Sequence, residues 1–199
     1  MAWTTPKTYV AGEKHSAAEG NTYIRDNIQY LYDNAGTFLL DSYTVADTDI
    51  QTVTFDSISG DFSNLLARFS VNSQRDSAND LLGIYVNGDV DTDIYQVMRV
   101  ITGSGAGVQA LASWKHIVDD ASMDVSTNGL YSVGDISICN YSSTTEQKAA
   151  LTRITYRNGQ QIQFHWGQYL STTAITSVSF TATYAPFGVG SKIWLYGEA

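Results

Sequence analysis

The stretch "ALTRITYRNGQQIQFHW", residues 150–166, decides the fold class of this 199-residue chain. Apolar and polar side chains alternate on both sides of Asn158-Gly159. A period of two is typical of a strand whose two faces have different surroundings. An Asn-Gly pair between two such runs is a strong signal for a β-hairpin. These residues therefore predict two antiparallel strands joined by a tight turn.

The same alternation recurs through most of the chain from about residue 50. Clusters of Gly, Asn, Asp and Ser separate the runs, as expected for turns. Eight to ten short strands without a helix between them predict a mainly β protein, and about 150 residues fit a jelly-roll antiparallel β-sandwich. The further predicted strands are 50–55, 64–71, 81–89, 94–103, 108–114, 135–141, 175–184 and 191–197.

Residues 16–36 show a helical period instead. Ser16 and Glu19 match the S-x-x-E capping box, and Gly36 is a suitable terminator. Residues at alternating spacings of three and four, all of them apolar except Asn21, form one seam along the helix. Such a seam favours either self-association or packing on the β body. The seam consists of Ala17, Asn21, Ile24, Ile28, Leu31 and Ala35, and we predict that Asn21, Ile24, Ile28 and Leu31 mediate oligomerisation.

The first 15 residues read as an extended arm. Trp3, Pro6, Tyr9 and Val10 are spaced along it without a regular period, so we expect them to dock on a partner surface. The chain is thus predicted to have two parts. Residues 1–36 form an arm with an anchoring and oligomerisation helix, and residues 37–199 form the β-sandwich.

Composition excludes several classes of function. The net charge is −9 and the isoelectric point near 4.5, which disfavours binding to nucleic acid. No run approaches the ~20 apolar residues of a membrane span, so no membrane insertion is expected. The start lacks a basic and apolar signal segment, which predicts synthesis in a cytoplasm.

Motifs that carry chemistry are weak in this sequence. "NGDVDTD", residues 87–93, resembles a calcium loop but has Ile94 where the loop needs Gly. "GSGAG", residues 103–107, lacks the Lys-Ser/Thr of a phosphate loop. His116 lies near Asp119 and Asp120 in sequence, which alone does not indicate a catalytic pair. We therefore expect no catalytic residue, no metal and no cofactor.

The single cysteine and the aromatic residues complete the candidates. Cys139 excludes an intrachain disulfide and is expected to be buried in its strand. Aromatic residues at or near strand ends could stack on sugar rings, although packing is their commoner use. The possible glycan contacts are Trp114, Tyr141, Trp166 and Tyr169.

The segment "WTTPKTYVAGEKHSAAEGNTYIRDNIQYL", residues 3–31, resembles the N-terminal segment of many virion proteins of tailed phages. The C-terminal "FGVGSKIWLYG", residues 187–197, resembles the Phe-x-x-Gly-Ser-x-Ile-x-Leu-Tyr-Gly ending of such proteins. The N-terminal pattern departs at Gly20, where the family usually has Leu. Its matching residues are Trp3, Pro6, Thr8-Tyr9-Val10, Gly12-Glu13, Ala17-Ala18, Asn21, Ile24-Arg25-Asp26-Asn27 and Leu31.

This resemblance implies a structural role on a phage particle. It implies a β domain displayed on the virion, anchored through Trp3, Pro6, Tyr9 and Val10 to the major capsid protein or another virion protein. We expect a homotrimeric, non-enzymatic head decoration, cement or head-fibre protein, made in the host cytoplasm. The alternatives are a tail-tip or tail-fibre protein that binds host-surface glycan and, less favoured, a polysaccharide-degrading enzyme.

Overall fold

The computed structural model describes residues 5, 7–8, 12–14, 16–28, 36–76, 79–91, 93–103, 106–125, 129–156 and 160–199, with only the backbone at 109–114 and 119–120. The chain divides into two compact units, residues 1–37 with Ala199 and residues 38–198.

The N-terminal unit contains the first part of the predicted helix, and residues 29–35 of that prediction lie outside the described residues. Helix α1 (Ala17–Gly20) begins at Ser16, whose side chain accepts from the backbone N–H of Glu19, while the Glu19 carboxylate accepts from Ser16 N–H at 2.9 Å. The predicted capping box is confirmed. A π-helical turn (Asn21–Arg25) follows, and the chain is α-helical again at 26–28. The capping box thus places the first turn where the sequence predicts it.

The arm is not straight over its described residues. Lys7 Nζ donates to Glu19 Oε1 at 2.6 Å and also contacts Glu13. An extended chain of twelve residues would span about 40 Å, so Lys7 and Glu19 are much closer together than an extended chain would place them. The described turn at Gly12, with φ of +86°, lies between these two residues in the chain, and positive φ favours glycine.

The second unit is built from strands. Most of them coincide with predicted strands, whereas β1 and β7 were missed. Their bounds are β1 Thr37–Thr44, β2 Thr52–Phe55, β3 Asn64–Val71, β4 Asp80–Val86, β5 Tyr95–Gly103, β6 Gly107–Trp114, β7 Val118–Met123, β8 Ser132–Cys139, β9 Lys148–Tyr156, β10 Gln161–Tyr169, β11 Val178–Ala182 and β12 Lys192–Glu198.

The strand order confirms the jelly roll. The small sheet has the order β2-β11-β4-β7, and the large sheet has the order β1-β12-β3-β8-β9-β10-β5-β6. Strands β1, β12, β3 and β8 with the whole small sheet form the eight-stranded jelly roll, because successive strands of this set alternate between the two layers, except for β4 and β7, which pair within the small sheet. The β5–β6 and β9–β10 hairpins are insertions that extend the large sheet beyond β8.

The core lies between the two sheets. Phe180 of the small sheet packs against Phe69 of the large sheet, with ring centroids 6.0 Å apart, and against Phe55 at 6.2 Å. All three rings are at most 3% exposed. Their inward positions follow from the alternation in β2, β3 and β11. The two apolar inner faces therefore hold the sandwich together.

The inserted strands meet the free edge of the small sheet. Strand β7 packs against β9 and β10, and the backbone N–H of Ser122 donates to Gln163 Oε1 at 3.0 Å. Gly167 permits the approach, since a Cβ there would lie 2.0 Å from the Ile117 carbonyl oxygen. The inner face of β10 is consequently polar, with Gln163 and His165 fully buried.

Candidate binding groove on the large sheet

The predicted anchoring and oligomerisation residues lie in the N-terminal unit. Trp3, Pro6, Tyr9 and Val10 fall outside the described residues, as does Leu31. The other predicted oligomerisation residues are solvent-exposed, at 50% for Ile24 and 61% for Ile28, while Asn21 lies in the π-helical turn and is also exposed.

Two of the four predicted glycan contacts require correction. Tyr141 and Tyr169 are at most 1% exposed, so neither ring has a face available to a sugar. Tyr141 Oη donates to the Ser59 carbonyl, and Tyr169 Oη donates to Asp89. Burial raises the pKa of both phenols above the ordinary value. These tyrosines are core residues whose hydroxyls form hydrogen bonds with loop residues.

The other two predicted contacts differ in what is described. Trp166 projects from the outer face of β10 and is 39% exposed. The backbone of Trp114 ends strand β6, and its side chain lies outside the described residues. Cys139 is exposed at the end of β8, so the expectation that it is buried was wrong.

A single cross-strand row carries the most notable chemistry of the large sheet. Directly paired residues on neighbouring strands share a face. Trp194 of β12 pairs with Arg68 of β3, Arg68 with Asp135 of β8, Asp135 with Arg153 of β9, and Arg153 with Phe164 of β10. The row thus has an aromatic residue at each end and three charged residues between them.

This row forms the floor of an open groove of about 670 Å³, which we call the binding groove. Its volume is within the range of small-ligand sites. Tyr196 and Ile162 line its sides, and Ile162 is 47% exposed. Sequence analysis missed this site, because it arises from strand order rather than from residues close in sequence.

One of the two arginines of the groove is held in an ion pair with Asp135, and the other is not. Arg153 Nε donates to Asp135 Oδ1 at 3.1 Å, and its Nη2 contacts Asp135 Oδ2. This hydrogen-bonded pair raises the pKa of the Arg153 guanidinium. Arg68 is exposed, has its guanidinium carbon 5.7 Å from the centroid of the Tyr196 ring, and makes no ion pair within the described residues. One cation is therefore neutralised and the other remains available.

A second, polar groove lies where three loops meet at one end of the sandwich, and its volume is about 850 Å³. Asn87 and Asp89 line it, so part of "NGDVDTD" lies here. Asn87 Oδ1 accepts from the backbone N–H of Thr176 at 2.8 Å, and Asp89 accepts from Tyr169. These side chains are engaged in holding loops together.

Lys148 is a structural residue that the sequence did not reveal. Its side chain is fully buried, and Nζ donates to the carbonyls of Ser143, Glu146 and Thr172 at 2.7–2.9 Å. Burial lowers its pKa from the ordinary value. Because the carbonyls belong to two loops, this lysine fixes one loop to the other.

The histidines form no recognisable catalytic group among the described residues. His116 lies over Tyr85, with ring centroids 5.8 Å apart, and the side chains of Asp119 and Asp120 are outside the description. His165 is buried, and its Nε2 is 3.4 Å from Gln163 Oε1.

Comparisons of this chain with protein-family models, with curated proteins and with solved structures find no match. The resemblance to phage proteins therefore rests on the two terminal motifs alone. Among the described residues, none of the helices is long and apolar enough to cross a membrane.

Proposed function

We propose that this chain is a non-enzymatic structural protein of a tailed-phage virion, a self-associating subunit of the head decoration, cement or head-fibre type. The expected oligomer is a homotrimer anchored to the capsid through its N-terminal residues. The terminal motifs support the class of particle, and the jelly roll is a common fold of viral coat domains. That fold is shared with unrelated functions, so the surface residues rather than the fold bear on assembly.

The observation that carries the proposal is an apolar patch on the outer face of the large sheet. It consists of Met98, Val108, Leu151 and Trp166 on the adjacent strands β5, β6, β9 and β10, each 39–70% exposed. Trp166 pairs directly with Leu151 and with Met98. Contiguous exposed apolar side chains of this kind are typical of protein–protein contacts, and tryptophan is enriched among contact residues that dominate binding.

A second copy of the chain is the occupant that we propose for this patch. The helix of the N-terminal unit also exposes Ile24 and Ile28, which gives each copy two apolar surfaces. Every chain carries one copy of each apolar surface. A symmetric oligomer would therefore bury the same surfaces on every subunit.

The test is the mass of the protein in solution. Light scattering of the wild-type chain should give three times the chain mass, and Leu151→Ser with Trp166→Ser should lower it. The control is Thr52→Ala with Thr181→Ala on the small sheet, which changes a polar outer face and should leave the mass unchanged. A monomeric wild-type chain would contradict self-association.

The second measurement concerns the particle. Full-length protein should bind to purified phage heads stripped of their native copies and not to isolated tails. Binding to tails alone would favour the rival role, a receptor-binding protein that recognises host-surface glycan. The binding groove is the observation that favours this second candidate function.

A further inference from the structure

The binding groove has the dimensions of an elongated site. Its row crosses five adjacent strands from Trp194 to Phe164, and neighbouring strands lie about 4.8 Å apart, so the row spans about 19 Å. This length suits a short chain of linked units, such as an oligosaccharide or a peptide, rather than a single small molecule. Phe164 is 38% exposed, and its ring therefore presents a surface to a ligand.

The charge of the groove is opposite to that of the protein. Two arginines and one aspartate give the row a net charge of +1, whereas the whole chain carries −9. The acidic protein repels anions at long range, so a local excess of guanidinium favours an anion at this place in particular. Arg68 supplies that excess, because Arg153 is already paired with Asp135.

The aromatic rings and the aspartate of the groove favour a saccharide over an acidic peptide. Aromatic rings such as Trp194 and Phe164 stack on the apolar face of a sugar ring. The Asp135 carboxylate can accept hydrogen bonds from sugar hydroxyls, whereas it would repel the carboxylates of an acidic peptide. A saccharide that carries several hydroxyls for each carboxylate offers a partner both to the guanidinium of Arg68 and to the carboxylate of Asp135.

We propose that the binding groove binds an acidic saccharide, with sugar rings on Trp194 and Phe164, a sugar carboxylate on Arg68 and sugar hydroxyls on Asp135. This inference deepens the second candidate function and rests on it. It names the charge of the glycan and the residue that selects for it.

The experiment measures binding to the full-length protein by calorimetry. Trigalacturonate and sialyllactose represent two sources of a sugar carboxylate, and maltotriose and lactose are the matched neutral saccharides. At least one acidic saccharide should bind, with an affinity that falls as salt screens the charge. A hexaglutamate peptide tests the competing ligand class and should not bind.

Arg68→Gln should weaken binding of the acidic saccharide by about tenfold or more, the effect of one charged hydrogen bond. This variant breaks no ion pair within the described residues, so it should fold. Lys192→Gln is the matched control, because Lys192 is an exposed cation on the same strand as Trp194 but does not line the groove. It should bind as the wild type does.

The possible outcomes distinguish failure of the charge assignment from failure of the glycan-binding function. Equal binding of neutral and acidic saccharides, or an Arg68→Gln variant with unchanged affinity, would overturn the charge assignment and leave a glycan-binding function standing. Binding of hexaglutamate alone would overturn the saccharide. No binding of any saccharide at about 10 mM, above a millimolar dissociation constant, would overturn both.

Discussion

The two outer faces of the sandwich expose different side chains. On the small sheet, Thr52 pairs with Thr181 and Thr54 with Ser179, and their hydroxyl oxygens are 3.1 and 2.9 Å apart. On the large sheet, the corresponding face carries the apolar patch and the aromatic ends of the binding groove. The jelly-roll strands of both sheets have apolar inner faces, whereas the inserted strand β10 has buried Gln163 and His165 on its inner face and apolar residues on its outer face.

The comparison indicates which outer face is suited to contact with another molecule. A hydroxyl-rich sheet face is compatible with water, and its cross-strand pairs stabilise the sheet modestly. An exposed tryptophan beside leucine and methionine also stabilises the sheet through cross-strand contacts, but it leaves apolar area in water and so promotes association. The small sheet thus serves as an internal reference for a solvent-facing surface, and the large sheet departs from it.

The largest expected effect tests whether the outer faces are dispensable for folding. Phe180→Ala removes a ring that is fully buried between the sheets and should cost about 3–5 kcal/mol of unfolding free energy. Phe164→Ala makes the same chemical change on the outer face, where the ring is 38% exposed. It should cost about 1–2 kcal/mol, since less apolar area returns to water.

Urea denaturation at low protein concentration measures both values. Equal losses for the two variants would mean that the outer ring is part of the core. The contrast between inner and outer faces would then fail for the large sheet.

The exposed seam of the N-terminal helix and the apolar patch of the large sheet are the two candidate surfaces for assembly. Ile24→Asp with Ile28→Asp places two charges on the exposed seam of the N-terminal helix. If that seam is buried between copies, unpaired charges there cost several kcal/mol, and the oligomer should dissociate. Asp is tolerated on a solvent-exposed helix surface, so the melting temperature of the β body should change little.

Light scattering and a thermal melt measure the two quantities. The control is Thr22→Asp, which places a charge at an exposed polar position of the same helix without breaking an ion pair. Retention of the wild-type mass by the isoleucine variant would assign assembly to the sheet face instead.

The sequence predicted the layers of the fold better than the orientation of each strand. The alternation found β2, β3, β11 and β12 because their apolar residues do face the core. It missed β1, which is largely exposed, and β7, whose run "VDDASM" contains two acids. Neither strand has a clear apolar face to detect.

Strand β10 shows why the site was harder to predict than the fold. Its apolar residues Ile162, Phe164 and Trp166 face outward, while Gln163 and His165 face inward. The polar residues are drawn inward by the edge of β7, where Gln163 accepts from a backbone N–H. Only the packing of a hairpin on a distant strand edge decides this, and no local pattern encodes it.

The binding groove depends on still longer-range order. Its charged row joins Arg68, Asp135 and Arg153, which become neighbours only through the pairing of β3, β8 and β9. Tyr141 and Tyr169 were selected as aromatic residues at or near predicted strand ends, and both are buried. Burial of a tyrosine near a strand end depends on whether a loop carbonyl or carboxylate reaches its hydroxyl, and the sequence does not state this.

The smallest expected effect concerns the hydroxyl pairs of the small sheet. Thr54→Val leaves the Ser179 hydroxyl, in a residue 3% exposed, without its partner and should cost about 1 kcal/mol. Adding Ser179→Ala removes the unpaired group as well, and the double variant should return to within about 0.5 kcal/mol of the wild type. Thr52→Val is the control, because Thr52 is exposed and the hydroxyl of Thr181 retains access to water.

A double-mutant cycle from urea denaturation measures the coupling between Thr54 and Ser179. Additive losses would show that the two hydroxyls act independently, and the hydroxyl pair would then contribute nothing as a pair. A coupled result would instead support the small sheet as a surface whose polar groups satisfy one another. That property makes its outer face self-sufficient in water, which the outer face of the large sheet, with its exposed Trp166 and Leu151, is not.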